Sequence, residues 1–153
     1  VSANAGRLVK GAYAAHTLNC NTGSIGVALA AMSGAVERPF RSGTAPITGA
    51  QLTALAALCR TLSARYSIPV TPRTVLTHAE VQPTLGIVQR GKWDVTWLPG
   101  MAAPGTAVET GDRLRALITA PVVAEKVSTG GGVIAAILVL ITRIFPIKNR
   151  SFI

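Results

Sequence analysis

At 153 residues the chain can bury one core, which leaves no room for a second catalytic domain. Fifteen Lys and Arg against six Asp and Glu give a net charge of +9, which draws the protein towards polyanions. The basic residues are nevertheless dispersed, at Arg7, Lys10, Arg38, Arg41, Arg60, Arg65, Arg73, Arg90 and Lys92, and cluster only at Lys148 and Arg150; no nucleic-acid motif lies among them, so solvated surface charge is expected and nucleic acid is not.

Val1 is followed by Ser-Ala-Asn-Ala-Gly, which has neither an initiator methionine nor the regions of a signal peptide. The chain therefore reads as the later part of a longer protein. Cys20 and Cys59 are too few for a disulfide framework and form no CxxC pair. Cys59 is expected as a small buried hydrophobe on a helix, and a Cys20 to Cys59 bridge stays open.

Ser24 to Met32 is a short apolar run bounded by turn residues, which suits a buried strand. Glu37 to Pro46, with two prolines, Ser42 and Gly43, reads as a loop. Thr48 can then cap a helix with Gln51 at the capping-box position, and Leu52, Leu55, Leu58, Cys59 and Leu62 recur at helical spacing up to Tyr66. After Pro69 and Pro72, Thr74 to Thr77 is a β-prone run that delivers His78 at its end. Pro83 to Trp97 reads as an irregular loop carrying Lys92 and Asp94, and Thr110 to Ile118 as a short helix ended by Pro121.

Beyond it the composition changes. Gly130 to Gly132 opens the apolar stretch Val133 to Ile141, interrupted at Arg143 and followed by Lys148 and Arg150. The expected organisation is a domain over 1–120, a linker over 121–132 and an apolar segment over 133–153. That segment is a candidate membrane anchor with its C-terminus in the cytoplasm, or else a helix or strand docked on the domain.

A histidine nitrogen and a carboxylate oxygen both suit zinc, and a hydrolytic zinc site uses three protein ligands plus an open position for water. His78 and Asp94 supply two such groups, with Lys92 two residues before the acid. Taken singly, His78 can equally be a structural histidine and Asp94 a turn residue.

Read together, Ala15-His16, Asn21-Thr22-Gly23-Ser24-Ile25-Gly26-Val27, a Thr/Pro loop, Gln51 with its Leu-rich helix, Thr77-His78 and Lys92-Trp93-Asp94 stand in an order that resembles the type-2 N-acetylmuramoyl-L-alanine amidases. These include T7-type phage lysozyme and the peptidoglycan recognition proteins, and the likeness, over about His16 to Gly100, is greatest to phage or prophage endolysins. The resemblance implies an α/β fold, a mixed central sheet flanked by helices, with a zinc cleft along one edge. It implies zinc as cofactor, His78 and Asp94 as metal ligands, Lys92 as the catalytic cation and His16 as a substrate contact. The family's first ligand has no counterpart here and is expected upstream of Val1. Some members carry a glutamate base on the central strand, where this chain has Ala28. The implied activity is zinc-dependent hydrolysis of the N-acetylmuramoyl–L-alanine bond of peptidoglycan, by a lysis enzyme of the periplasm or cell envelope. The competing readings are a non-catalytic peptidoglycan-binding module or inactive remnant, and a membrane-anchored protein whose cationic surface meets anionic lipid.

Overall fold

The structure, a computed structural model, describes residues 15–121 and the backbone of 142–144. The first helix, α1 (Gly49–Arg65), begins as its sequence dictates. Thr48 is extended, its hydroxyl accepts from Gln51 N at 3.2 Å, and Gln51 Oε1 accepts from Thr48 N at 2.9 Å. Two otherwise orphaned amides are thereby satisfied reciprocally. Leu55, Ala56, Cys59 and Ser63 form the buried face, with Leu52 and Leu62 at its margins. Leu58, expected on that face, is exposed instead. At about 100° per residue it lies well round from the centre of the buried column.

A sharp turn stabilised by Thr74, whose hydroxyl bonds the carbonyl of Pro69, leads into β1 (Val75–Thr77), every residue of which is buried. Immediately after His78 comes α2 (Val81–Leu85), within the segment expected to be irregular. Pro83 is tolerated there because it occupies the first turn, where its missing N–H has no helical partner to lose. Gly86, at φ 71°, ends the helix.

The last described helix, α3 (Ala107–Thr119), starts three residues before the expected Thr110. Thr106 and Glu109 form a second capping box, with Glu109 N donating to Thr106 Oγ1 at 3.2 Å and Thr106 N to Glu109 Oε2 at 2.9 Å. The neighbouring Pro104-Gly105 reads as loop and hides this start. Hydrogen bonds from Thr106 hold the Glu109 carboxyl below its ordinary value of 4.5. The support Glu109 gives the helix is therefore complete above that value and lost as pH falls through the lower folded one. Thr106→Ala is expected to cost about 1 kcal/mol in urea unfolding at neutral pH.

The two long helices are joined at the far end of α3, where Arg60 of α1 donates to the carbonyls of Leu117, Ile118 and Ala120 at 3.0, 3.2 and 3.3 Å. These carbonyls have no partner within the helix, so a residue expected as surface charge is a C-terminal cap. Between the helices Leu55, Cys59, Ile68, Val75, Leu114 and Ile118 make one core with Leu29, Ile47, Val95 and Leu98.

Two sequence expectations about sheet structure are corrected. Ser24 to Met32 is bridged at the single positions Ile25 and Leu29 and forms no continuous ladder among the described residues. Ala28 and Leu29 are buried and Ile25, Val27, Ala31 and Met32 pack partly against the core, while Ala30 is exposed, so hydrophobicity reports burial here and not strand pairing. In place of the expected mixed sheet, the described residues contain a two-stranded antiparallel one. In it β2 (Thr142–Ile144) lies against β1, with Val75 opposite Ile144 and Thr77 opposite Thr142. Over these residues the chain is a docked strand satisfying the edge of β1. The rest of 122–153, with the linker and most of the candidate anchor, lies outside the described residues. No described helix is long and apolar enough to cross a membrane. Cys20 and Cys59 are both buried and no disulfide joins them.

Candidate functional site

Position 78 is fixed from beneath by an ion pair. Thr77 N donates to Glu80 Oε2 at 2.8 Å, and Glu80 N returns to the Thr77 carbonyl at 3.1 Å, closing a tight turn around His78. The Glu80 side chain is wholly buried and meets Arg115 of α3 through two contacts, Nη2 to Oε1 at 2.8 Å and Nη1 to Oε2 at 3.2 Å. Arg115 also donates to the Val75 carbonyl at 2.8 Å and to Asp112 Oδ1 at 2.7 Å. Burial works against its charge, but Glu80 and Asp112 outweigh that and raise its pKa above the ordinary arginine value. Room for the carboxylate comes from Gly111, where a Cβ would stand 1.9 Å from Glu80 Oε2.

His78 itself is 5% exposed, with both ring nitrogens engaged. Nδ1 lies 3.1 Å from Asp94 Oδ2 and Nε2 lies 3.1 Å from Gln89 Oε1. The backbone holds the first of these contacts in place, because Ala79 N donates to the Asp94 carbonyl at 2.8 Å. Asp94 keeps half of its side chain exposed.

Above His78 opens a cleft of about 760 Å³, walled by residues 15–22 on one side and by Gln89, Arg90 and Lys92 on the other. His16 is set into the first wall by Asn21, whose Oδ1 accepts from His16 N at 2.8 Å and from Thr17 N at 2.9 Å. Asn21 and Ser24 thus shape the turn that carries the histidine, since Ser24 Oγ also donates to the Cys20 and Asn21 carbonyls at 2.7 and 2.8 Å. Gly26 makes space for the imidazole: a Cβ there would come within 2.6 Å of His16 Cγ.

The four residues singled out from sequence are therefore gathered, but not equivalently. His16, His78 and Lys92 line the same cleft. Asp94 reaches His78 from a neighbouring apolar cavity of about 320 Å³, shared with Ala28, Trp93, Val95 and Trp97. Ala28 leaves that wall without a second carboxylate. Glu80 and Gln89 were not singled out. The Thr77-x-x-Glu80 spacing of a capping box is a local signal for the first, whereas nothing in the sequence marks Gln89.

Two donors bound at 2.0–2.1 Å to one tetrahedral zinc stand about 3.3 Å apart. The observed 3.1 Å between His78 Nδ1 and Asp94 Oδ2 fits two corners of such a site. The pairing of Nε2 with a carbonyl-type oxygen fits as well, because metal-binding histidines donate their remaining N–H to such an acceptor. Among the described residues no third His, Cys, Asp or Glu completes the set.

A family model described as N-acetylmuramoyl-L-alanine amidase matches residues 2–100, a span that contains His16, His78, Lys92 and Asp94. No curated protein and no solved structure matches the chain.

Proposed function

Because the chain belongs to the N-acetylmuramoyl-L-alanine amidase family, we propose that it is a zinc-dependent peptidoglycan amidase. It cleaves the amide between the lactyl group of N-acetylmuramic acid and the L-alanine of the stem peptide, as a lysis enzyme of the cell envelope. The observation that carries this reading is the His78 Nδ1 to Asp94 Oδ2 approach of 3.1 Å, beside a cleft that also holds Lys92. The net charge of +9 suits an anionic wall polymer.

His78 and Asp94 are the residues that hold the metal. Bound there, zinc supplies a water whose pKa is near about 7 and an electrophile for the scissile carbonyl. Asp94 reaches His78 Nδ1 from the neighbouring cavity, with half of its side chain exposed, and would stand as the second ligand. Lys92, exposed and lining the same cleft as His78, would supply an ammonium to the developing tetrahedral oxyanion. His16 contacts substrate from the facing wall. The water's oxygen joins the lactyl carbonyl carbon as the C–N bond breaks, and its proton passes to the departing L-alanine amine.

The test is incubation with purified peptidoglycan. New N-terminal L-alanine is expected, abolished by chelator and restored by zinc. Lys92→Ala should retain the metal and lose rate by about 10²–10³, as for an oxyanion donor; loss of zinc in that variant contradicts the assignment. A second reading, a peptidoglycan-binding module, is favoured by the pair of ligands standing without a third among the described residues. Tight wall binding with no new amino groups would decide for it.

A further inference from the structure

We propose that Gln89 is a positioning residue for His78, one that selects Nδ1, the nitrogen on the Asp94 side, as the one presented to the metal; this rests on the zinc amidase reading above. The direction of its amide is set by its surroundings. Gln89 Nε2 donates to the Leu18 carbonyl at 2.9 Å and is 3.3 Å from the Ile87 carbonyl, so the –NH₂ group has two acceptors beside it. Turned over, the amide would point Oε1 at two carbonyl oxygens. The observed orientation leaves Oε1 facing His78 Nε2 at 3.1 Å as an acceptor for a proton on that nitrogen, so that Nδ1, 3.1 Å from Asp94 Oδ2, is the nitrogen left to a metal when one is bound between the two.

The backbone of Gln89 is held too, its N–H donating to Gln82 Oε1 of α2 at 2.9 Å, and the residue is 3% exposed. A buried glutamine with its backbone amide and both side-chain ends engaged is costly to rearrange. It therefore acts as a fixed stop for the imidazole. Through Leu18 it also ties the wall that carries His16 to the histidine below, so that the two sides of the cleft keep a common register.

The experiment uses the full chain and the variants Gln89→Leu, which keeps the volume without the acceptor, and Gln89→Glu, which keeps an oxygen at the same place. In ¹⁵N-labelled metal-free protein the unmutated chain should show a His78 Nε2–H correlation, absent in Gln89→Leu. With zinc, chelator competition should show affinity about 10–100-fold weaker in Gln89→Leu, with partial recovery in Gln89→Glu. The ligand-field bands of the cobalt-substituted protein should shift in the leucine variant alone. A merely structural glutamine would lower thermal stability in both variants and leave the cobalt spectrum unchanged. A bare His78 Nε2 in the unmutated protein, or equal metal affinity in all three, overturns the proposal. If the unmutated chain takes up no metal, the zinc amidase reading fails, and the metal-free ring signal still decides the role of Gln89.

Discussion

Asp94→Ala is expected to abolish zinc retention and amide hydrolysis together, and His78→Ala to do the same. A catalytic zinc has few protein ligands, and removing either from a tetrahedral set loses most of the binding free energy along with the electrophile. Asp94→Ala is the cleaner variant, because its side chain is half exposed and leaves only a small space, whereas His78 is buried against Gln89. Elemental analysis after gel filtration and release of N-terminal L-alanine are the two measurements. Hydrolysis surviving loss of the metal would remove zinc from the mechanism. Zinc held as tightly without Asp94 would remove Asp94 from the site.

The second large effect is on stability. Arg115→Ala should cost about 3–5 kcal/mol, the range for leaving one partner of a buried pair uncompensated. The stranded group is Glu80, wholly buried and bonded otherwise to the Thr77 amide. Gly111→Ala should be comparably harmful by the opposite route, since its methyl group would occupy the position of the carboxylate. Urea unfolding measures both. Replacing Glu80 and Arg115 together by leucine should cost less than Arg115→Ala, because no buried charge is then left alone. A loss below about 1 kcal/mol for Arg115→Ala would show that solvent reaches the pair.

The parts of the fold that could be read from sequence are those whose causes lie close together in the chain. The α1 start was legible because Thr48 and Gln51 stand three apart and cap each other. The strand that ends at His78 was legible for a similar reason, a β-prone run cut off by prolines on one side. The α3 start was obscured by Pro104-Gly105 although the same box is present at Thr106 and Glu109. What escaped were contacts closed by folding. Arg115 lies 35 residues from Glu80, and the Leu18 carbonyl that orients Gln89 lies 71 residues away from it, separations over which periodicity carries no information. The run from Ser24 to Met32 shows the limit from the other side: its hydrophobicity encodes burial, while laddering depends on what lies beside it.

The Glu80–Arg115 pair also says where this protein can be cut and joined. The family match ends at residue 100, yet the arginine that holds the histidine-bearing turn belongs to α3, Ala107–Thr119, and the end of α3 is in turn held by Arg60 of α1. A fragment stopped at Gly100 would keep His16, His78, Lys92 and Asp94 while stranding a buried carboxylate and uncovering the face of Leu55, Cys59 and Val75 that packs on Leu114 and Ile118. A portable unit for chimaeric proteins therefore has to reach past Ala120 to the strand that pairs with β1, and a swap made at the family boundary would carry His16, His78, Lys92 and Asp94 without the helix that holds the His78 turn.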